Sequence, residues 1–577
     1  MNGRADRLKS RIMAARRQIP ADLVLRRGQV INLFTGAAVP ADVAVHDGIV
    51  VGIGQGYEGR DVVDLDGMWV APSLIDGHIH IESSMLLPSR LAEAVLPHGT
   101  TAIVADPHEI ANVLGLEGIR ILLDESRDLP FDTFFMAPSC VPATHLETSG
   151  ARLGAGELEI LLEEPRMLGL AEMMNVPGVL FGDPEVLAKI ELFRSRILDG
   201  HCPGLTGEDL QGYLTAGIRS DHECTTAEEA REKAAAGMFV MIREGTSARN
   251  LDALLPAVTQ GTADRFCFVS DDLHPQDILR RGHLDHMIRR AVRAGMPAVT
   301  AIRLASLNPS CYFGLRDRGA VAPGYLADLV VLEDLDTFSV NRVFKKGQLV
   351  AEKGRSLEWS GDGGATWPTG PLATGPVRSE RFSIPDGAGA ARIIEIVPGQ
   401  ILTREVRERP AVREGQVVSD PERDILKIAV LERHRETGGL GLGLVRGFGL
   451  RQGALASSVA HDSHNLIAVG VGDDDLCLAA ETVRDMGGGL AAVRRGEVIA
   501  RVALPIAGLL SDKAIHEVAR GLDDLNLAAA DLGCRVEEPF MALSFLALPV
   551  IPALKLTDRG LVDVARFEHV PLFPEDV

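Results

Sequence analysis

Eight short apolar runs, each ending in polar residues, recur along the middle of the chain. In order they are WVAPSLIDGHIH, TTAIVADPHE, DTFFMAPS, LGLAEMMN, ILDGH, GIRSDHE, FVMIREG and RFCFVSDD. Helix-like stretches separate most of them, for example from Pro184 to Arg196. Apolar strands that alternate with helices are typical of a (β/α)8 TIM-like barrel, because both faces of each strand are buried. An open doubly wound sheet is the alternative that the same pattern allows.

β-rich segments lie on both sides of these runs, at residues 22–70 and 326–354. The dipeptide Asp47-Gly48 between two such segments predicts a hairpin. We expect the two flanks to form one small β-sandwich domain, followed by a C-terminal α+β domain. The expected limits are 1–72 and 321–360 for the parts that flank the barrel, 73–320 for the barrel, 361–392 for a Gly- and Pro-rich linker, and 393–577 for the C-terminal domain.

The formal charge of the chain is −21, from 59 basic and 80 acidic residues. Such a surface repels nucleic acid and anionic membranes, so we expect a small-molecule partner and neither of these. Seven scattered cysteines without a CxxC pair indicate a reducing compartment.

No secretory signal is recognisable, because the basic first twenty residues lack an apolar core and predict an exposed amphipathic helix instead. The longest apolar run, residues 540–554, contains two prolines and is too short to span a membrane. It is predicted to be a buried strand or core segment. We therefore expect a cytoplasmic protein.

Polar side chains collect at the ends of the predicted strands, where the active sites of such barrels lie. His78 and His80 share one strand face, and two imidazoles aimed at one point suit a divalent metal. The other runs end in Asp106, Glu172, His201, His222 and the pair Asp271–Asp272. Four histidines with at least two carboxylates suit two metal ions, whereas any single histidine could be a hydrogen-bonded core residue. Cys202 and Cys224 are interpreted as packing residues.

The motifs HIHIESSM, GTTAIVADPHEIANV, GLAEMMNVPGV, DGHCPGL, SDHECTTAEEA, REGTSARNL and VSDDLHPQDIL resemble those of the amidohydrolase superfamily, specifically its adenine deaminases. The block VAHDSHNLIAVG is similar to their extra domain, and the resemblance covers roughly residues 20–570. It implies deamination of adenine to hypoxanthine and ammonia by a hydroxide bound to a binuclear metal centre. The implied cofactor is a pair of divalent ions, with Mn²⁺ or Fe²⁺ favoured and Zn²⁺ possible.

The same resemblance implies the ligand set. His78 and His80 would hold one metal with Asp271, and Glu172 would bridge to a second metal held by His201 and His222. Glu172 takes the place of the carboxylated lysine of many relatives, since LGLAEMMN contains no lysine. Asp272 is the alternative to Asp271, and the family pattern favours Asp271.

The proposed chemistry gives further residues a role. Asp271 would take a proton from the hydroxide and pass it to the departing ammonia, and His222 would polarise the site. Glu82, Glu109 and Glu223 are the candidates for protonating ring N1. Predicted contacts to the purine are Glu82, Ser84, Asp106 and Glu109. Ser83 and Ser84 could instead cap the next helix.

Two polar segments have no settled role. Arg243 and Glu244 could form an ion pair or clamp the substrate. His461, Asp462 and His464 could lie over the barrel mouth or form an ordinary turn.

Two other functions are open to the same residues. The chain could act on an N6-substituted purine or a cyclic amide, or it could be a non-catalytic scaffold. A scaffold should have lost ligands, yet every expected ligand position is filled. We expect a homo-oligomer, a dimer or larger.

Overall fold

An exposed N-terminal helix, α1 (Asn2–Ala15), precedes the first β-rich flank. The computed structural model describes residues 2–359, 364–387, 389–398 and 400–574. The flank contains β1 (Ala21–Asn32), β2 (Ala37–His46), β3 (Ile49–Ile53), β4 (Gly59–Asp64) and β5 (Trp69–Pro72). β2 and β3 form the predicted hairpin, and Asp47 and Gly48 adopt the left-handed φ values of 49° and 72° that such a tight turn needs.

Eight parallel strands follow, one for each apolar run. They are β6 (Leu74–Ile79), β7 (Thr100–Ala105), β8 (Asp132–Ala137), β9 (Met167–Met173), β10 (Ile197–Gly200), β11 (Ser220–Asp221), β12 (Phe239–Arg243) and β13 (Phe266–Val269). Pairing runs from β6 to β10 in sequence order and again from β11 to β13. The Asp271 N–H donates to the His78 carbonyl at 3.0 Å, and the Arg219 N–H donates to the Leu198 carbonyl at 3.1 Å. These two bonds join the groups into a closed ring, which confirms the barrel.

Thirteen helices lie on the described segments between and after these strands. They are α2 (Pro88–Val95), α3 (His108–Leu114), α4 (Leu116–Glu125), α5 (Ala155–Leu158), α6 (Val176–Leu180), α7 (Pro184–Leu192), α8 (Gly207–Thr215), α9 (Ala227–Ala235), α10 (Leu251–Leu254), α11 (Pro275–Arg281), α12 (Leu284–Arg293), α13 (Ala298–Leu304) and α14 (Leu307–Tyr312). Asp183 caps α7 by accepting hydrogen bonds from the N–H groups of Glu185 and Val186. The inside of the barrel is filled by apolar side chains such as Val104, Met136 and Val269.

The second β-rich flank returns to the first. It contains β14 (Leu329–Leu332), β15 (Val340–Lys345), β16 (Gln348–Glu352) and β17 (Arg355–Ser356). β14 pairs antiparallel with β5, so that one nine-stranded sheet is built from both flanks. Its apolar face includes Leu25, Val43 and Val331 and forms a core separate from the barrel interior. Both flanks therefore contribute strands to one sheet, as expected.

The C-terminal domain mixes strands and helices. Its strands are β18 (Ile384–Pro385), β19 (Ala391–Ile396), β20 (Thr403–Glu408), β21 (Ala411–Arg413), β22 (Gln416–Val418), β23 (Leu426–Leu431), β24 (Leu440–Arg446), β25 (Ala454–Ser457), β26 (Leu466–Gly470), β27 (Gly489–Arg494), β28 (Glu497–Ala503), β29 (Leu554–Thr557), β30 (Gly560–Asp563) and β31 (Glu568–His569). Its helices are α15 (Asp473–Asp485), α16 (Ile515–Asp531) and α17 (Pro539–Phe545). β19, β20 and β23 to β28 form one eight-stranded sheet, and α16 packs on α11 of the barrel.

One sequence-based alternative is wrong within this domain. The apolar run at 540–554 begins as α17 rather than as a strand. Pro539 at the first turn and the unbranched side chains of Met541 and Leu543 favour the helix. The run is nevertheless mostly buried, as expected for a core segment.

The domain limits stay a prediction, and residues 1, 360–363, 388, 399 and 575–577 lie outside the described part of the chain. None of the helices within the described ranges has both the length and the apolar composition needed to cross a bilayer.

Candidate active site

His78 and His80 leave the carboxyl end of β6 towards the same point. Their rings meet edge to face with centroids 4.9 Å apart, and the His78 ring stacks on that of His222 at 4.1 Å. His222 follows β11 directly. After His80 the chain turns into a short 3-10 helix, Ile81–Ser84, so the extended geometry ends before Glu82. Two histidines from one strand and one from the opposite side of the ring therefore converge.

Glu172, near the end of β9, lies between these imidazoles. Its Oε1 is 3.4 Å from His80 Nε2, whereas its Oε2 is 2.7 Å from His201 Nδ1 and 3.1 Å from His222 Nε2. One carboxylate thus faces the first-strand histidines with one oxygen and the fifth- and sixth-strand histidines with the other. This is the arrangement that a bridging ligand requires.

Asp271 closes the other side of the cluster. Its Oδ1 lies 3.5 Å from His78 Nε2 and 3.3 Å from His80 Nε2. The residue has a φ of 59°, a left-handed conformation that aspartate tolerates better than most side chains. Asp272 turns its Oδ1 to the hydroxyl of Ser83, 2.5 Å away. Asp271 therefore contacts both His78 and His80, whereas Asp272 binds Ser83.

The six predicted ligands are suited to bind metal. His78, His222 and Asp271 form one group whose ligand atoms all lie within 4.8 Å of one another, and Glu172, His201 and His222 form another. The Nε2 atom of His78 is buried and has no hydrogen-bond partner in the described structure. A buried nitrogen without a partner is costly, and a cation between these atoms would remove that cost.

Opposite charges dominate the cluster. Burial would raise the pKa of Glu172, but the neighbouring imidazoles of His222 and His201 lower it well below its usual range. Burial would likewise lower the pKa of His222, yet Glu172 and Asp271 raise it to about 9. The ionised carboxylates attract positive charge, which protons or a divalent cation can supply at the same atoms.

A partly open cavity of about 70 Å³ lies beside the cluster. Its barrel side is polar and includes His80, His108, Glu109, Glu172, His201, His222, Glu223, Arg243, Asp271 and Asp272. The C-terminal domain contributes Ile401, His461, Asp462, Phe545, Leu548 and Ile551. The site is therefore built by two domains, and the turn that carries His461 and Asp462 does lie at the barrel mouth.

Of the four predicted substrate contacts, only Glu109 is among the described residues that line this cavity. Glu82 accepts a hydrogen bond from the Ile110 N–H at 3.0 Å, and burial together with Glu109 raises its pKa to about 7. The Ser84 hydroxyl donates to the Ile81 carbonyl at 2.5 Å. Asp106 holds the His108 ring, with Oδ2 to Nδ1 at 3.1 Å.

The helix-capping alternative for the serines is wrong. α2 begins only at Pro88, after Leu87, and no side chain caps it. Ser83 and Ser84 instead lie in the 3-10 turn, where their hydroxyls bind Asp272 and the Ile81 carbonyl.

Arg243 and Glu244 do not pair with each other, contrary to one of the two expectations. Arg243 donates to Asp271 Oδ2 at 2.9 Å and to both oxygens of Glu223. Glu244 pairs with Arg290 and accepts from the Leu251 N–H at 3.2 Å. Neighbouring residues on a strand point to opposite faces, so only Arg243 reaches the cavity.

Comparison with known proteins agrees with this geometry. Residues 69–350 match the amidohydrolase family, and residues 400–568 match the adenine deaminase C-terminal domain. The chain is 52% identical to "Adenine deaminase" of Desulfatibacillum aliphaticivorans, over 97% of this chain and 99% of that protein. It is 48% identical to "Adenine deaminase 2" of Carboxydothermus hydrogenoformans, over 98% and 99% of the two chains, and 49% identical to "Adenine deaminase" of Methanothrix thermoacetophila, over 99% and 100%.

The chain belongs to the adenine deaminase family. A more distant likeness is to a solved structure, L-hydantoinase from Arthrobacter aurescens, which is 16% identical, covers 59% of this chain and 98% of its own, and has a TM-score of 0.45. A likeness at that level carries no argument about the substrate. The superfamily implies a divalent metal, for which the clusters described above provide candidate ligands.

The sequence did not indicate three groups of residues that line the candidate active site of this adenine deaminase family member. His108 faces the cavity, and its position two residues after Asp106 at the end of β7 could have indicated it. Arg243 ends a predicted strand, yet no local pattern indicates its contact with Asp271. Phe545 and its apolar neighbours come from another domain, and no local pattern could have placed them here.

Proposed function

We propose that the chain is an adenine deaminase, which hydrolyses adenine to hypoxanthine and ammonia. The observation that carries the proposal is the meeting of four histidines and two carboxylates at one end of the barrel. The chain is also about 50% identical, over nearly its full length, to proteins named adenine deaminase.

We further propose a binuclear centre, with His78, His80 and Asp271 around one cation and His201 and His222 around the other. Glu172 supports this arrangement, because its two oxygens face the two groups of histidines separately. The cations would supply the acidity that makes water a nucleophile at neutral pH. Histidine and carboxylate ligands accept several metals, and we propose Mn²⁺ or Fe²⁺, with Zn²⁺ as a substitute.

Asp271 is proposed to move the proton. Burial would raise its pKa, but Arg243 and the histidines lower it well below its usual range, so that the side chain is ionised at neutral pH. It would take a proton from the attacking water as the new C–O bond forms at C6. The same proton would pass to the exocyclic nitrogen as the C–N bond breaks and ammonia leaves.

Of the three candidates for protonating ring N1, the geometry favours Glu109. Glu82 is not among the described residues lining the cavity, and Glu223 directs both oxygens to Arg243. Glu109 lines the cavity, and its Oε1 lies 2.7 Å from His461 Nδ1. Burial would lower the pKa of His461, but Glu109 and its acidic neighbours raise it to about 9. The same contact lowers the pKa of Glu109 well below its usual range, so the pair holds its one proton on His461, from which Glu109 would relay it to ring N1.

The decisive experiment removes metal from the purified protein and restores Mn²⁺, Fe²⁺ or Zn²⁺ separately. Metal content is then measured together with three products: ammonia from adenine, methylamine from N6-methyladenine, and the ring-opened acid from a panel of cyclic amides. We expect about two metal ions per chain and ammonia from adenine. Ring opening of cyclic amides without ammonia from adenine, or full activity of the metal-free protein, would contradict the proposal.

Three expectations from the sequence stay predictions. They are a small-molecule partner with no nucleic-acid or membrane partner, a homo-oligomer, and a cytoplasmic location. Light scattering of the purified chain would test whether it forms a homo-oligomer.

A further inference from the structure

Four apolar side chains of the C-terminal domain form one wall of the cavity. They are Ile401, Phe545, Leu548 and Ile551. Ile401 lies just before β20, and the other three lie at or after the end of α17. We call this group the apolar wall. None of the six predicted metal ligands belongs to it, so it faces a substrate without taking part in the ligand cluster.

Lys555, on β29, holds the two segments of this wall together. Its Nζ donates to the Ile401 carbonyl at 3.0 Å and to the Phe545 carbonyl at 2.9 Å. The residue is fully buried, and within the described structure no carboxylate forms an ion pair with it. A buried ammonium without a counter-ion is costly, so its hydrogen bonds to main-chain carbonyls are its main compensation.

The wall is also connected to the polar side of the cavity. The Phe545 ring stacks on the His461 ring with centroids 4.7 Å apart and planes 18° from parallel. His461 in turn contacts Glu109. The position of Phe545 therefore affects where the proposed proton donor lies.

The chemistry of a purine orients it in this cavity. If the proposed function holds, C6 and its amine must face the histidine and carboxylate cluster. N9, which carries the sugar in a nucleoside, lies on the far side of the bicyclic ring. That side is left to meet the apolar wall, which offers no side-chain hydrogen-bond partner to sugar hydroxyls. Burying such hydroxyls without hydrogen-bond partners is costly.

We propose that the apolar wall is the specificity-determining element that admits a free base and rejects 9-substituted purines, and that Lys555 is its positioning residue. The proposal rests on the proposed function for the orientation of the base. It adds a role for a domain that supplies none of the six predicted metal ligands.

Two neighbouring leucines provide a matched test. Leu548 lines the cavity, whereas Leu546 packs in the core, and both are buried, with 5% and 2% exposure. Adenine, 9-methyladenine and adenosine are compared as substrates and by calorimetric binding, using the metal-loaded full chain. The methyl group tests how much space the wall leaves at N9, and the ribose of adenosine adds the hydroxyls. Leu548→Ala is expected to raise the relative kcat/KM for 9-methyladenine by about tenfold or more. Leu546→Ala should lower Tm similarly but leave the ratio unchanged.

Lys555→Met tests the positioning role. The variant should raise KM for adenine severalfold while kcat changes little, and it should relax selectivity in the same direction as Leu548→Ala. An unchanged selectivity ratio in both Leu548→Ala and Lys555→Met, or an equal change in Leu546→Ala, would overturn the proposal. Should Leu548→Ala fail to fold, Ile551→Ala replaces it, because Ile551 is only half-buried.

The two proposals fail in different ways. A wild-type enzyme that releases no ammonia from adenine contradicts the proposed function. Calorimetry still compares the binding of adenine and 9-methyladenine in that case. Equal binding of both by the wild type would overturn the role of the wall.

Discussion

The two sides of the cavity are built by different means. The barrel side consists of charged and imidazole groups at the ends of strands, held by contacts with one another, such as those of Glu172 with His201 and His222. The C-terminal side is largely apolar. Its two segments are held together by main-chain carbonyls that accept hydrogen bonds from the Lys555 side chain. This division places reactive groups on a rigid ring and substrate selection on a separate domain, so selection can change without disturbing the ligands.

The largest effect is expected from Glu172→Gln, which removes charge from the centre of the barrel side. Several kcal/mol of transition-state stabilisation should be lost, which corresponds to a decrease in kcat of about 10³-fold or more. Metal content should fall at the same time. Glu185→Gln is the control, since Glu185 is an exposed residue paired with Arg152 on the barrel surface. Normal turnover by Glu172→Gln would contradict the bridging role.

Asp271→Asn should have the next largest effect. Loss of a proton acceptor is expected to lower kcat by about 10²–10³-fold. Asp272→Asn provides the comparison, because Asp272 contacts Ser83 rather than the histidines. Steady-state kinetics with equal metal loading would distinguish the two. A larger loss in Asp272→Asn would reverse the assignment.

His461→Asn tests the point where the two sides meet. Removing its charged contact with Glu109 should lower kcat/KM for adenine by about tenfold, while metal content stays normal. A loss of metal in this variant would show that the boundary between the two sides is misplaced. His569→Asn is a suitable control, since His569 is an exposed residue on β31.

The last comparison concerns stability rather than activity, through the buried lysines on the two sides. In the barrel, Lys233 pairs with Asp221 at 3.0 Å and Glu229 at 2.7 Å. In the C-terminal domain, burial alone lowers the pKa of Lys555 from 10.5 to about 7. The unfolded chain therefore binds more protons than the folded chain between these pH values, so stability should rise with pH by up to about 1.4 kcal/mol per pH unit.

Lys555→Met should abolish this rise of folding stability with pH. Thermal unfolding of both proteins near neutral pH and about two units above would measure it. A wild-type Tm that rises no more than that of the variant would mean that Lys555 has an acidic partner in solution.

Several parts of the site could be predicted because their signals are local. His78 and His80 alternate on one strand, and Glu172, His201 and His222 each end an apolar run. Once the barrel is inferred, all of these must meet at one end, since parallel strands share their direction. The hairpin at Asp47-Gly48 followed from two residues alone.

Other parts could not be predicted, because each depends on a partner far away in the chain. Glu82 and Ser84 follow the histidine motif directly, yet the chain coils after His80 and turns their oxygens to Ile110 and Ile81. The partner of Arg243 was Glu223, twenty residues earlier, rather than its neighbour Glu244. α17 was open to two interpretations, because a short apolar run suits a buried strand or a buried helix equally.

The sequence by itself determined the barrel, the flanking sheet and the identity of the cluster at the strand ends, because side-chain periodicity and strand direction are set by local backbone geometry. Only the tertiary structure decided which residues face the substrate from the other side. Glu109 and His461 are separated by more than 350 positions, and nothing in either segment specifies the other. Their contact results from the docking of two domains, through interactions such as that of α11 with α16.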